Sequence, residues 1–273
     1  MDNHHDSPES GSYIYDDTFF RYLQQGSMRS AEAIVPLIID RLRISSVRDV
    51  GCGAGAWLAE YRRAEVPKYL GVDGDYVTVS SLLIPPSAFV PLDITNAFDL
   101  GERFDLVQCL EVGEHLPRDA SRTLVQNLVK HGDRVLFSAA VPGQGGENHI
   151  NEQPYEFWRA LFAEHGYLPY DFLRPLVCDN SSVEPWYRHN IILYVAAPSS
   201  GLLSSSLAGT RIPDEERIPD VSTISYKLRT RILANLSVQS LSRLAILKHK
   251  WLIFIRGFRP LAKKQGRSPE RPL

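Results

Sequence analysis

Two hydrophobic rhythms alternate along the chain. Residues 13–43 carry Ala31, Ile34, Val35, Ile38, Ile39 and Leu42 at helical spacing, which predicts a helical lead-in with one buried face. Gly26, Ser27 and Ser30 within it read as a turn and helix cap. Short runs rich in β-branched and aromatic residues then predict strands near 46–50, 68–72, 88–91, 104–110 and 134–139. Helical patterns fall between them, near 55–64, 75–82, 119–131 and 154–165. Two further strands are predicted near 168–174 and 190–196. Strands and helices alternating at this spacing predict an α/β fold, a mostly parallel sheet with crossover helices on both faces.

The rhythm breaks after residue 197. Residues 198–225 are rich in serine and proline and contain Arg-Ile-Pro-Asp twice, at 211–214 and 217–220, which reads as linker. Residues 226–273 read as a helical extension, with Leu241, Leu244, Leu247, Trp251, Ile255 and Phe258 at three- and four-residue steps and basic residues between them. The expected division is a lead-in or lid over 1–30, a ligand-binding domain over 31–197, a linker over 198–225 and a tail over 226–273. Tyr13, Tyr15 and Phe19 are the expected lid residues.

Charge sharpens that division. The net charge is −2, but residues 227–273 hold twelve basic side chains against Glu270 alone, so this part carries +11 and the rest −13. Such asymmetry marks an interaction tail, for an anionic membrane surface or for a subunit contact. The 44% hydrophobic content of the 273 residues is that of an ordinary globular core. Cys52, Cys109 and Cys178 are widely spaced, which argues against a disulfide framework or a cysteine zinc site. A polar first dozen residues and no apolar run of about 18 predict a cytoplasmic protein, peripheral to a membrane where the tail binds one.

The chemistry begins at the end of the first strand. Asp49, Gly51, Gly53 and Gly55 form a strand–turn–helix junction whose backbone amides can approach a ligand closely. Read as G-x-G-x-x-G/A with Asp73 about 20 residues on, it fits a dinucleotide. Read as D-x-G-x-G-x-G, it resembles the first motif of class I S-adenosylmethionine (SAM)-dependent methyltransferases. Later landmarks follow that family: 69–73 ends in Asp73, 91–94 contains Asp93, and 104–112 resembles the fourth strand. The resemblance covers about 31–197 and implies a Rossmann-like seven-stranded sheet. It implies a cofactor site of Asp49, Gly51, Cys52, Gly53 and Gly55 at the methionine end, Asp73 and Gly74 at the ribose, Asp93 and Ile94 at the adenine, and Leu110 and Glu111 after the fourth strand.

The acceptor is less explicit. Two polar segments follow the fourth and fifth strands, at 111–116 and 142–153, where an open α/β sheet places its ligands. Methyl transfer to a hydroxyl needs a proton acceptor. His149, in a glycine-rich loop, is the first candidate and His115 the second, with packing at a helix start as the alternative role for His115. Glu111, Glu114, His115 and His149 together resemble the divalent-cation set of small-RNA 2′-O-methyltransferases and of ubiquinone-type catechol O-methyltransferases, which implies Mg²⁺ or Mn²⁺. Tyr155, Trp158, Trp186, Tyr187 and Arg188 are expected to wall the acceptor, with ordinary packing as the alternative. No Asn-Pro-Pro-Tyr or Asp-Pro-Pro-Tyr follows the fourth strand, which argues against methylation of base amino groups. The expected activity is biosynthetic O-methylation of a small polar or sugar-containing metabolite, with no nucleic-acid partner. Metal-assisted methylation of RNA ribose and a non-catalytic, membrane-associated scaffold are the alternatives.

Overall fold

Strand patterning and register explain the architecture. In the computed structural model, which describes residues 17–237, 239–245 and 247 with side chains from residue 24 on, seven strands form one sheet. They are β1 (Ser46–Val50), β2 (Lys68–Asp73), β3 (Phe89–Pro91), β4 (Leu106–Leu110), β5 (Arg134–Ser138), β6 (Tyr167–Tyr170) and β7 (Ile192–Ala196). Their order is β3-β2-β1-β4-β5-β7-β6, with β7 antiparallel to both neighbours and the others parallel. The described helices are α1 (Asp17–Leu42), α2 (Ala56–Arg63), α3 (Ala120–His131), α4 (Tyr155–Ala163), α5 (Arg174–Val177), α6 (Pro185–Asn190), α7 (Ser205–Ala208) and α8 (Ile224–Leu233).

Each central strand is apolar on both sides because helices cover both faces. Leu106 and Leu110 of β4 join Ile34, Ile38, Leu58 and Tyr61 in one core. Val107 and Cys109 join Leu124, Leu128, Trp158 and Phe162 in the other. The Rossmann-like fold is therefore as expected, down to the late hairpin.

Three local expectations are corrected. The turn at 26–30 is absent, and α1 runs through it. Gly26 is small there because Glu184 packs on it: a Cβ would lie 2.8 Å from Glu184 Oε1. The helix expected at 75–82 shrinks to one 3₁₀ turn, Val79–Ser81, with no buried residue, and a segment with no face to bury gains little from helix formation. The stretch 198–225 lies on the domain and not apart from it. Its repeated Arg-Ile-Pro-Asp buries Ile212 and Ile218. Arg159 binds the Pro213 carbonyl at 2.6 Å and also that of Glu216, and Arg174 binds the Pro219 carbonyl at 2.9 Å. Two buried guanidiniums thus satisfy the carbonyls of a segment that forms no ladder of its own. Tyr13, Tyr15 and the side chain of Phe19, like the tail beyond 247, lie outside the described residues.

Candidate active site

The strand order sets the C-terminal ends of β1 and β4 side by side, where an open α/β sheet leaves a ligand crevice. The turn after β1 lines it. Gly51, Gly53 and Gly55 have φ of 80°, 53° and 83°, a region costly for other residues. A Cβ on Gly51 would lie 2.4 Å from a Val112 methyl, whereas one on Gly53 would meet nothing within 4 Å. The protein behind the turn demands the first glycine, and the space in front of the second is open to a ligand.

Asp49 lies beneath this turn, buried, beside Gln108 in the β1–β4 register. Burial pushes its carboxyl up to about 8, with Gln108 opposing the shift and Asp73 adding to it. A carboxylate held there needs a cation beside it. Asp73, at the end of β2, accepts the Gly53 amide at 2.6 Å, the Gly74 amide at 2.7 Å and the Tyr76 hydroxyl. The acid expected at a ribose also braces the glycine turn. Asp93 is exposed, and the Thr95 hydroxyl and amide and the Asn96 side chain hold its carboxyl below the usual range. Cys52, Ile94 and Leu110 have buried side chains in the two cores.

At the end of β4 the chain turns sharply. Glu111 has φ 56°, and its amide donates to the Ser138 carbonyl at 2.9 Å. Strain of this kind in a non-glycine residue is typical of functional sites. A 3₁₀ turn, Gly113–His115, follows, and the Ile150 and Asn151 amides donate to the Glu114 carbonyl at 2.9 and 3.0 Å. Those bonds pin the 139–153 loop to the β4 turn and bring His149 to His115, their rings edge to face at 4.9 Å.

Glu114, His115 and His149 each present a ligand atom within 4.8 Å of the others. Glu114 is 0% exposed, and neither of its carboxylate oxygens has a donor at hydrogen-bonding geometry. Burial and then the Glu111 charge push its carboxyl well above the usual range. Glu111, expected as a fourth ligand, is held instead by the Gln144 and Asn190 side-chain amides at 2.8 and 3.2 Å, which occupy its two oxygens. His115 keeps an exposed surface, and partial desolvation in the packed loop, with His149 beside it, lowers its imidazole below the usual range.

His149 has a partner that sequence reading missed. Its Nδ1 lies 3.0 Å from Glu152, whose oxygens also accept the Gly143 and Gly145 amides at 2.7 Å each. With Nδ1–H donated to Glu152, Nε2 keeps a free lone pair that can accept a proton or hold a cation. Glu152, Gln144 and Asn190 belong to no spacing motif, so only the folded loop reveals them.

α8 closes the same side. Tyr226 stacks edge-on to His189 at 4.7 Å, and the Gly143 backbone is pressed against the Thr230 carbonyl. A cavity of about 220 Å³ opens between the loop and this helix, lined by Pro142, Pro154, Tyr155, Asp220, Tyr226 and Thr230 among others. Of the expected acceptor wall, Tyr155 lines this cavity, its hydroxyl donating to Asn190 at 3.1 Å. The others do not line this cavity. Trp158 is core, wedged against Phe137 and under Gly113, where a Cβ would be 2.6 Å from its ring. Tyr187 packs edge-on to Trp57 and bonds Ser27, Trp186 flanks the same core, and Arg188 donates to the Cys178 carbonyl.

Comparison with known proteins bears on this geometry. A family model described as a methyltransferase domain matches residues 22–172. The dTDP-4-amino-2,3,4,6-tetradeoxy-D-glucose N,N-dimethyltransferase of Saccharopolyspora spinosa is 33% identical over 108 residues, 37% of this chain and 43% of that protein. The match thus spans less than half of that curated relative. Among solved structures, the sugar N-methyltransferase KedS8 of a Streptoalloteichus species superposes with a TM-score of 0.50 at 18% identity, covering 71% of this chain and 99% of that one, a likeness of fold. The SAM-bound magnesium protoporphyrin IX methyltransferase of Synechocystis gives a TM-score of 0.47 at 19% identity over 67% of this chain and 86% of that one.

Proposed function

The chain belongs to the methyltransferase-domain family of class I SAM-dependent enzymes, and from that premise we propose that it methylates a hydroxyl of a small, sugar-type acceptor. The observation that carries this reading is the His149–Glu152 pair, held in the loop whose Pro142 and Pro154 line the cavity. The dimethyltransferase relative acts on a nucleotide-linked sugar by name, which supports the acceptor class.

In this reading Asp49 receives the methionine ammonium, Asp73 and Gly74 face the ribose, and Asp93 and Ile94 meet the adenine. The acceptor oxygen attacks the donor methyl in line. The O–C bond forms as the S–C bond breaks, and the sulfonium leaves as a neutral thioether. The acceptor proton passes to His149 Nε2, and Glu152 stabilises the imidazolium so formed. Asp220, Tyr226 and Thr230 offer the hydrogen bonds a polyhydroxyl acceptor needs.

A second reading rests on Glu114. Burial makes the Glu114 carboxyl costly to ionise, and a divalent cation held by Glu114, His115 and His149 would relieve that cost. Such an ion would lower the pKa of an acceptor hydroxyl. The donor set fits one, with Glu152 orienting His149 from behind.

One assay separates these readings. The protein is incubated with SAM and paired sugars bearing a hydroxyl or an amine, before and after chelation, and products are identified by mass spectrometry and NMR. An O-methylated sugar formed despite chelation supports His149 as the base. Loss on chelation and recovery with Mn²⁺ supports the cation. N-methylation alone overturns the hydroxyl reading.

Asp49 adds a pH signature. Its carboxyl, near 8, must shed a proton before it can pair with an ammonium. SAM affinity therefore rises with pH from about 6 to about 8, by up to about tenfold per unit. Calorimetry should show this slope in the native protein and its loss in Asp49→Asn. A flat profile in the native protein would rule out Asp49 as the ammonium's partner.

A further inference from the structure

α8 has two unlike faces. The inner one carries Tyr226 and Thr230 against the acceptor loop. The outer one carries Ile224, Leu228 and Ile232 at four-residue steps, 87%, 61% and 62% exposed. Three large aliphatic side chains in one row, open to water, are unlike the scattered apolar residues of an ordinary surface. On the helical wheel Lys227 and Arg231 flank this row on one side and Arg229 on the other. Leu236, Leu244 and Leu247 continue as exposed aliphatics beyond the helix, 40%, 47% and 63% exposed, with Arg243 among them.

We propose that the outer face of α8 and its continuation dock the enzyme on an anionic lipid surface. An apolar stripe bordered by cations is the chemistry of a helix lying in a membrane interface, where the aliphatics enter the acyl boundary and the basic groups meet lipid phosphates. The charge distribution favours that partner: residues 227–247 hold Lys227, Arg229, Arg231 and Arg243 and no acid, whereas residues 1–226 carry −13. An anionic surface attracts the first and repels the second, which turns α8 towards the lipid. Among the described residues no helix is long and apolar enough to cross a membrane. Docking is independent of the acceptor's identity and of His149.

Vesicle co-sedimentation of the full chain tests this. Phosphatidylcholine vesicles with phosphatidylglycerol should carry the protein down at low salt, and pure phosphatidylcholine should not. Leu228→Ser with Ile232→Ser, and separately Arg231→Glu with Arg243→Glu, should each lower the bound fraction about tenfold or more while leaving SAM affinity unchanged. Native protein that stays in solution, or variants that partition equally with it, would overturn the proposal. So would light scattering that shows a dimer dispersed by the leucine–isoleucine variant, since the stripe would then cover a second copy.

Discussion

His149→Ala is expected to slow methyl transfer by about 10²–10⁴-fold and to leave donor affinity unchanged. The proposed donor cradle is built from β1, β2 and the glycine turn, whereas His149 meets His115 and Glu152. In the proposed reading the acceptor end depends on its Nε2, because Glu152 orients that ring while the imidazole of the neighbouring His115 is held below its usual range. Stopped assays with calorimetry on the same variant measure both quantities. An undiminished rate would remove His149 from both the base and the cation readings. Glu152→Gln should give a smaller loss, since the amide can still orient the ring but cannot stabilise an imidazolium. A loss as large as that of His149→Ala would instead point to collapse of the loop, whose Gly143 and Gly145 amides Glu152 also holds.

Gly143→Ala is expected to do comparable damage without touching a reacting group. Gly143 has φ 82°, and a Cβ there would lie 2.0 Å from the Thr230 carbonyl oxygen and 2.8 Å from the Ala234 amide nitrogen. Both obstacles are backbone, so no rotamer change relieves them. Either α8 lifts or the loop withdraws, and a withdrawing loop takes Glu152 and His149 with it. Misplacement of about 1 Å at a reacting centre costs about 10²-fold in rate. The substitution should also lower stability by about 2–3 kcal/mol, or roughly 4–8 °C in melting temperature. Gly101→Ala is the matched control, with φ 68° and nothing within 4 Å of the added carbon. It isolates the left-handed backbone cost of about 1–2 kcal/mol. If the two variants lose the same stability and Gly143→Ala keeps full turnover, α8 does not shape the acceptor site.

The donor half was legible in the sequence because its determinants are local. Asp49, the three glycines and Asp73 lie within 25 residues, and each answers to a backbone angle or a charge that the residue type itself discloses. The alternation of strands and helices read correctly for the same reason, since periods of two and 3.6 survive without tertiary knowledge. Of the proposed acceptor half, the sequence offered Glu114, His115, His149 and Tyr155. Glu152 works through amides of its own loop, and Gln144 and Asn190 meet on Glu111 from segments 46 residues apart. Trp158 and Tyr187 were expected at the acceptor because large aromatics suit a binding wall equally well as a core. Burial decided for the core. Gly26 read as a turn because a glycine's need for space against Glu184 looks, in sequence, like a need for unusual angles. The serine- and proline-rich stretch read as linker because the two arginines that hold its carbonyls come from α4 and α5.

The wall that α8 and the Asp220 segment give the cavity has a corollary for acceptor choice. In the proposed reading the donor is held by the first half of the chain and the acceptor by segments well beyond the parallel strands. Substitutions at Asp220, Tyr226 or Thr230 reshape what is admitted without disturbing Asp49, Gly53 or Asp73. Changes in the C-terminal third should therefore alter acceptor choice while SAM affinity stays the same.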